Sequence, residues 1–261
     1  MQILRTHVPN SANNYNHLVY CPQTRVTAAV DPFSAEHLIA LAQANNLVIE
    51  QIWVTHEHHD HIRHVHKLKE LTGAPIFAPS TCQAKFEADH WLDDEQQVVL
   101  GRHSITHLLA PGHTPGHSVY LYQDADRPSE DFILSGDTLF NACVGNVKSG
   151  DANTLFDTVR RLSKRLTPTS RLYSGHDYLV TNLKFTLHHG PQNQAAAETL
   201  LAVEKQSPDQ RAIQSWHEEC RYNLFLNLDS DQVKHITQIH ETNTESTRRR
   251  FLALRQLRDQ W

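Results

Sequence analysis

The densest group of side chains that could do chemistry lies at residues 55–61, which read Thr-His-Glu-His-His-Asp-His. The segment follows an apolar run typical of a strand and precedes a helical pattern, so we expect a tight loop. Such a loop would turn His56 and His58 toward one point while Asp60 and His61 face a second point nearby. Imidazole and carboxylate groups suit zinc, iron or manganese, and the absence of a nearby cysteine disfavours a purely structural zinc site. The segment therefore predicts a metal site, with a solvated histidine-rich loop or weak adventitious binding as the alternative.

Three further potential ligands follow other apolar segments of a chain that contains 20 histidines. His113 lies in a loop rich in glycine and proline between two strand-like runs. Asp137 and His176 each come shortly after an apolar run that is typical of a strand. Four strand ends would then each deliver at least one ligand, as expected when strand termini converge on a shared site.

The elements that must position these groups divide the chain into two parts. In the first, we predict strands at residues 15–21, 26–30, 49–55, 75–78, 97–100, 103–109, 117–122, 131–135 and 171–174. Helices are expected there at residues 34–44 with Ser34 as N-cap, 62–72 with Gly73 as C-cap, and 153–166 with Asp151 near the start.

Beyond residue 176 the strand-like alternation disappears. Helical patterns follow at about residues 178–189, 192–206, 209–221, 230–241 and 246–259. The sequence therefore predicts a mixed α/β domain over residues 1–175, followed by a smaller all-helical domain over residues 176–261.

Composition excludes several classes of protein. The 261 residues are 39% hydrophobic and 20% charged, which is enough apolar content for a sizeable core. The formal net charge of -5 argues against a nucleic-acid surface, and no apolar run is long enough to predict a membrane-spanning helix. The first residues lack a secretory pattern, and the four cysteines are widely spaced, without a CxxC pair. We therefore expect reduced thiols in a cytoplasmic protein with neither nucleic acid nor membrane as a partner.

The motif HxHxDH followed by a distant His, Asp and His resembles the signature of the metallo-β-lactamase superfamily. The resemblance implies an α/β fold in which an αββα sandwich carries a dinuclear metal site at one edge. Carried over by position, it implies these ligands: His56, His58 and His113 for one ion, Asp60, His61 and His176 for the other, and Asp137 bridging both.

Further segments resemble one branch of that superfamily, the hydroxyacylglutathione hydrolases or glyoxalase II family. They lie at residues 136–140, 175–178, 182–185, 223–226 and 255–259. The resemblance implies a thioester hydrolase that converts an S-lactoylglutathione-type substrate to a 2-hydroxy acid and glutathione, as in methylglyoxal detoxification. It also implies two divalent metal ions, zinc first and iron or manganese as alternatives, whose hydroxide attacks the thioester carbonyl. Asp60 and Asp137 would be the catalytic carboxylates that partly offset the metal charge.

Four residues are candidates for binding the glutathione moiety: Tyr178, Arg255, Arg258 and Lys148. The two arginines share a helix face, and guanidinium groups suit a carboxylate such as the glycyl carboxylate of glutathione. The alternative is that this helix is simply basic, since residues 248–250 are all arginine.

The chain departs from the family pattern in three places. Ile62, Arg63 and His64 stand where a Gly-Gly pair usually follows the ligand motif. Asn146 and Lys148 stand where the family usually has the Lys and Tyr that contact glutathione. Arg258 stands where the family usually has a lysine near the C-terminus. The departures bear on specificity for the thiol and leave the predicted ligands intact.

Residues beside the predicted ligands have their own expected roles. Asp31 and His117 are candidates for hydrogen bonds that orient the ligands, whereas His59 is expected to point away.

Two other functions fit parts of the same pattern. A persulfide dioxygenase of the superfamily would hold a single iron through His56, His113 and Asp137, but the long helical C-terminal segment argues against it. A non-catalytic metal-binding relative is the second alternative. A nucleic-acid hydrolase of the superfamily is disfavoured by the acidic charge balance. The oligomeric state is open, with a monomer as the simplest case.

Overall fold

The structure is a computed structural model that describes residues 1–261. Its strands are Gln2–His7 (β1), Tyr15–Tyr20 (β2), Val26–Val30 (β3), Val48–Trp53 (β4), Ile76–Pro79 (β5), His90–Leu92 (β6), Gln97–Leu100 (β7), His103–Leu109 (β8), Ser118–Tyr122 (β9), Phe132–Gly136 (β10), Leu139–Phe140 (β11), Cys143–Val144 (β12) and Arg171–Ser174 (β13). Its helices are Ala35–Ala44 (α1), His59–Ile62 (α2), Val65–Thr72 (α3), Ala152–Ser163 (α4), Leu179–His189 (α5), Gln194–Val203 (α6), Trp216–Tyr222 (α7), Asp231–Thr237 (α8) and Thr244–Asp259 (α9).

The strands form two large sheets and one hairpin. The first sheet has the order β1-β2-β3-β4-β5-β6, with parallel pairing from β3 to β6. The second has the order β13-β10-β9-β8-β7, in which only β10 and β13 are parallel. The two-stranded hairpin is β11-β12. Apolar residues of both large sheets meet in one core, and helices cover the outer faces, so the predicted αββα sandwich is confirmed.

Side chains that alternate along β4 pack into two different apolar cores. Ile52 packs with α1 and α3, whereas its neighbour Trp53 faces the second sheet, because successive side chains of a strand point to opposite faces. The Trp53 ring stacks on Tyr120 of β9 with centroids 4.8 Å apart. This packing places the end of β4, where the ligand motif begins, at the edge of the sandwich.

The C-terminal helices share a core with the second sheet. Phe225 and Phe251 from the helical segment pack with Phe156 of α4 and Leu108 of β8. The helical segment is thus held against the sandwich by common apolar packing, and a smaller apolar cluster joins α5, α6 and α7 to one another.

Local signals set several element ends as predicted. The Ser34 side chain accepts from the His37 amide at the start of α1, and Asp151 accepts from the Thr154 amide at the start of α4. Gly73 ends α3 with a φ of 73°, a conformation that favours glycine.

The helix predicted at residues 209–221 is wrong in its first half. Residues 211–215 lack helical structure and run beside β13, where the Leu172 amide donates to the Gln214 carbonyl. The helix begins only at Trp216, after a capping box formed by Ser215 and Glu218. Strands β1 and β6 and the β11-β12 hairpin were not predicted either.

The state of the four cysteines agrees with the expectation from composition. All four cysteines are free thiols. None of the helices has the length and apolar character needed to cross a bilayer.

Candidate metal centre

The first group of predicted ligands meets at the end of β4. Donor atoms of His56, His58, His113 and Asp137 all lie within 4.8 Å of one another. His58 Nδ1 is 3.0 Å from His113 Nε2, although 55 residues separate them in the sequence. His113 reaches this point from the loop between β8 and β9, where Gly112 has a φ of 141° and no room for a Cβ against Leu155.

The second group lies beside the first. Donor atoms of Asp60, His61 and His176 are also within 4.8 Å of one another, and the Nε2 atoms of the two histidines are 3.1 Å apart. Asp137 stands between the groups. Its carboxylate oxygens lie 3.3 Å from His61, 3.2 Å from His176 and 3.5 Å from His113. The structure therefore brings all seven predicted ligands together.

Unpartnered atoms show that this cluster suits a cation. His56 Nε2 and Asp137 Oδ1 are buried without a hydrogen-bond partner, an arrangement that costs free energy unless something binds them. Nitrogen and carboxylate oxygen donors without thiolates suit zinc, iron and manganese. The residues present fit divalent metal ions.

Asp31 orients two of the imidazole rings. Its Oδ2 lies 2.8 Å from His61 Nδ1 and accepts from the Thr55 hydroxyl at 2.7 Å. Because Thr55 donates to Asp31, its oxygen accepts from His56 Nδ1 at 3.0 Å. Both rings therefore turn their Nε2 atoms to the centre, which confirms the orienting contacts predicted for Asp31.

Backbone groups orient the remaining parts of the cluster. Nδ1 of His113 donates to the Asn146 carbonyl, and Nδ1 of His176 donates to the Ala12 carbonyl, each at 2.8 Å. His117 Nε2 accepts from the Asp137 amide at 2.9 Å, which confirms the orienting contact predicted for His117. His59 is exposed, as expected.

Burial and charge set the protonation of the cluster. Burial lowers the pKa of His56 well below its ordinary value, so its imidazole is neutral and can act as a ligand. Burial also opposes the charge of Asp137, but His176 and His61 outweigh it and hold the pKa of Asp137 well below its ordinary range. Burial would lower the pKa of His61, yet Asp137 and Asp31 raise it well above its ordinary value. The carboxylates thus favour positive charge at this point, which bound cations supply.

A cavity of about 200 Å³ opens beside the proposed ligand His176 and is lined by the four residues predicted to bind glutathione, Tyr178, Arg255, Arg258 and Lys148. The Tyr178 ring stacks on the ligand His176, with centroids 5.0 Å apart and planes 3° from parallel. Neither this cavity nor a larger groove of about 670 Å³ between α4 and the start of α9 is lined by a proposed ligand itself. We take the smaller cavity, here called the thiol-side cavity, as the one that serves the metal centre, because its lining residues Tyr178 and Asn146 contact the proposed ligands His176 and His113.

Comparisons with known proteins agree with this site. Residues 27–176 match the metallo-beta-lactamase superfamily, and residues 177–261 match the hydroxyacylglutathione hydrolase C-terminus. The hydroxyacylglutathione hydrolase of Polaromonas sp. is 34% identical, and that of Nitrosococcus oceani is 33% identical, with 100% of both chains covered in each case. This chain belongs to the hydroxyacylglutathione hydrolase (glyoxalase II) family.

Solved structures show the same fold at lower identity. ETHE1 from Myxococcus xanthus matches with a TM-score of 0.66 at 22% identity, covering 94% of this chain and 93% of that one. BLEG-1, a B3 metallo-β-lactamase, matches with a TM-score of 0.65 at 19% identity, covering 87% of this chain and 100% of that one.

The first departure from the glyoxalase II pattern lies outside both ligand groups. His64 Nδ1 accepts from the Ala35 amide at 3.1 Å, and the Arg63 guanidinium lies 4.7 Å from the Phe33 ring centre. These contacts tie the end of the ligand motif to the start of α1 and leave the ligands in place.

Sequence reasoning missed two residues that touch the ligand loops. Glu57 Oε2 accepts from the Thr114 hydroxyl at 2.9 Å, and Ser149 Oγ lies 3.1 Å from His58 Nε2. The position of Glu57 inside the ligand motif was a usable signal. Nothing local marks Ser149, because 91 residues separate it from His58.

Proposed function

We propose that this chain hydrolyses the thioester of S-(2-hydroxyacyl)glutathione, of the S-lactoylglutathione type, to a 2-hydroxy acid and glutathione. The observation that carries the proposal is the direct contact between the metal centre and the thiol-side cavity, made where the Tyr178 ring stacks on His176. A thiol carrier bound in that cavity would lie beside the ligands. The full-length similarity to two proteins named hydroxyacylglutathione hydrolase supports the same reaction.

The seven converging residues are the proposed metal ligands: His56, His58 and His113 for one ion, Asp60, His61 and His176 for the other, and Asp137 between them. We propose two divalent ions per chain, with zinc first and iron or manganese as alternatives. One solved structure that is 26% identical over 66% of this chain, with a TM-score of 0.54, carries the description di-iron-bound. When bound, such ions lower the pKa of water toward ~7 and polarise a carbonyl oxygen.

The chain's own residues prepare the site for that chemistry. Asp60 and Asp137 act as the catalytic carboxylates, and Asp60 is held by a hydrogen bond from Asn14 Nδ2 at 3.0 Å. Thiolates leave readily, since a free thiol has a pKa of ~8.5, so the reaction needs no dedicated general acid.

The thiol-side cavity supplies the proposed contacts to glutathione. Tyr178 and Lys148 line it, and Arg258 enters it while donating to Asn182 Oδ1 at 3.1 Å. We propose that Arg258 binds a carboxylate of the tripeptide, because a guanidinium matches carboxylate geometry. Arg255 lines the same cavity, but its terminal nitrogens contact the protein itself.

We further infer a division near residue 176 between a metal-binding unit (1–175) and a helical unit (176–261), and a cytoplasmic monomer as the working form. The four free cysteines support a reducing compartment.

Hydrolysis of S-lactoylglutathione tests the proposal. Purified protein reconstituted with zinc should remove the thioester absorbance of S-lactoylglutathione. It should act far more slowly on a lactoyl thioester of a small thiol that lacks the tripeptide. Equal rates on both thioesters would contradict glutathione recognition, and oxygen uptake on glutathione persulfide by a one-iron form would contradict the hydrolase assignment.

A further inference from the structure

Both terminal nitrogens of the Arg255 guanidinium are already bound to the protein. Nη1 donates to the carbonyls of Val144 and Gly145, at 2.9 and 3.0 Å, and Nη2 pairs with Asp259 at 2.9 Å. Arg255 is 4% exposed, far less than a residue that presents its charge to an open cavity. The two terminal nitrogens therefore hold three oxygen atoms of the chain itself.

The peptide next to these carbonyls touches a metal ligand. Gly145, whose carbonyl Arg255 binds, is followed by Asn146, whose carbonyl accepts from His113 Nδ1 at 2.8 Å. A Cβ built on Gly145 would lie 2.1 Å from the Asp137 carbonyl oxygen and 3.3 Å from His113 Cβ. The backbone held by Arg255 thus lies directly against two proposed ligand residues, with no space to shift toward them.

The other end of the segment 145–150 contacts a second proposed ligand. If His58 binds the ion through Nδ1, which lies 3.0 Å from His113 Nε2, its Nε2 carries the proton and donates to Ser149 Oγ, 3.1 Å away. The segment therefore supports the outer nitrogens of two histidines in the first ligand group, one through a main-chain carbonyl and one through a hydroxyl.

We propose that Arg255 is a positioning residue for the first ligand group: helix α9 sets the orientation of His113 and His58 through the segment 145–150. The proposal rests on the proposed function, in which these two rings hold a metal ion. Outer hydrogen bonds of ligating histidines fix the ring and its tautomer, and their loss costs roughly 10–100-fold in metal affinity or activity. Because Asn146 also lines the thiol-side cavity, one backbone segment serves both the thiol side and the metal centre.

The affinity of the protein for zinc distinguishes a positioning role of Arg255 from a role in substrate binding. We expect Arg255→Met, which keeps the apolar stem, to weaken one of two zinc dissociation constants by roughly 10–100-fold and to leave the other unchanged. Competition between the metal-free full-length protein and a chromophoric chelator measures both constants. The matched control is Arg249→Met on the same helix, since Arg249 is exposed. A higher KM for S-lactoylglutathione with both zinc constants at the wild-type value would overturn the proposal.

A second variant tests the role of the segment 145–150 at an exposed residue, where a substitution is not expected to cause misfolding. Ser149 is exposed, so Ser149→Ala should fold and should weaken the same zinc ion, toward the lower end of that range, because water competes for an exposed contact. Ser149→Thr should restore affinity by returning the hydroxyl. The control is Ser104→Ala on β8, where the hydroxyl bonds only the surface residue Gln97.

The outcomes separate the two proposals. Zinc constants of Ser149→Ala equal to those of the wild type would overturn the positioning role while the two-metal site stands. A wild-type protein that binds no zinc would instead overturn the proposed function.

Discussion

Asp137 is the residue that joins the two ligand groups, with its carboxylate within 3.5 Å of nitrogens from both. We expect Asp137→Ala to abolish turnover and to lower the metal content, because the variant removes a donor from each group. Elemental analysis and the loss of thioester absorbance measure the two effects.

The exposed Asp126 provides the matched control for that variant. Asp126→Ala should keep both full metal content and full turnover. Normal turnover of Asp137→Ala would rule out the position of Asp137 between the metal ions.

Glu57 connects two ligand loops, since it precedes His58 and accepts from Thr114, the residue after His113. Removing an ionised hydrogen-bond partner costs about 1.5–3 kcal/mol. We expect Glu57→Ala to lower the thermal unfolding midpoint and to reduce kcat/KM by roughly tenfold, because both ligand loops lose their common support.

Glu57→Gln is the conservative comparison, because an amide oxygen can still accept from Thr114. It should retain most of the stability and the activity, as measured by thermal unfolding and by hydrolysis of S-lactoylglutathione. Equal losses in the two variants would show that the charge of Glu57, and not the hydrogen bond, supports the loops.

At the scale of elements, the buried carboxylate of Glu219 fastens α7 to the β11-β12 turn. It accepts from Asn141 Nδ2 and the Ala142 amide, each at 2.8 Å, and from the Tyr222 hydroxyl at 2.7 Å. Asn223 Nδ2 is a fourth donor at 3.3 Å. The β12 strand of this hairpin leads into the segment 145–150, so this contact helps to join the helical segment to the metal centre.

The pKa of Glu219 gives this contact a pH dependence. Burial raises the pKa of Glu219 above its ordinary value, although the four donors oppose the rise. The folded protein therefore holds this proton more tightly than the unfolded chain. The stability contribution is complete below the ordinary carboxyl pKa and is lost as the pH rises through the raised value.

A comparison with Glu219→Gln isolates the effect, because the amide does not titrate. We expect the difference in unfolding midpoint, wild type minus variant, to fall over the pH range that begins at the ordinary carboxyl pKa and rises through the raised value. Thermal unfolding across that range measures it, with the exposed Glu87→Gln as a control whose difference stays near zero. A difference that grows with pH would contradict the raised pKa.

At the scale of the whole molecule, the metal centre joins segments from residue 56 to residue 176. Ions that bind only the folded state stabilise it, by about 2.7 kcal/mol for one site at 100 times its dissociation constant. For a chain of this size we expect chelation to lower the unfolding midpoint by about 5–10 °C per ion.

Returning zinc should restore the midpoint and the activity together. Magnesium should restore neither, because it prefers oxygen ligands and this site is mainly imidazole. An unchanged midpoint after verified metal removal would contradict a structural contribution from the site.

Local patterns predicted most of the sandwich. Ser34, Gly73 and Asp151 mark helix ends through contacts with residues no more than four positions away. The neighbouring sequence is therefore enough to predict these helix ends. The first half of the helix predicted at 209–221 failed because residues 211–215 lie beside β13, a pairing that a local helical pattern does not reveal.

The sequence by itself predicted the seven proposed ligands, because metal coordination demands particular side chains and their order along the chain resembles the superfamily signature. Only the tertiary structure decided what holds those ligands in place. Arg255 shows why: its bonds to the Val144 and Gly145 carbonyls span 111 and 110 residues. Every residue has a main-chain carbonyl, so the residue types at positions 144 and 145 do not predict this contact. The contact forms only when α9 packs against the sandwich.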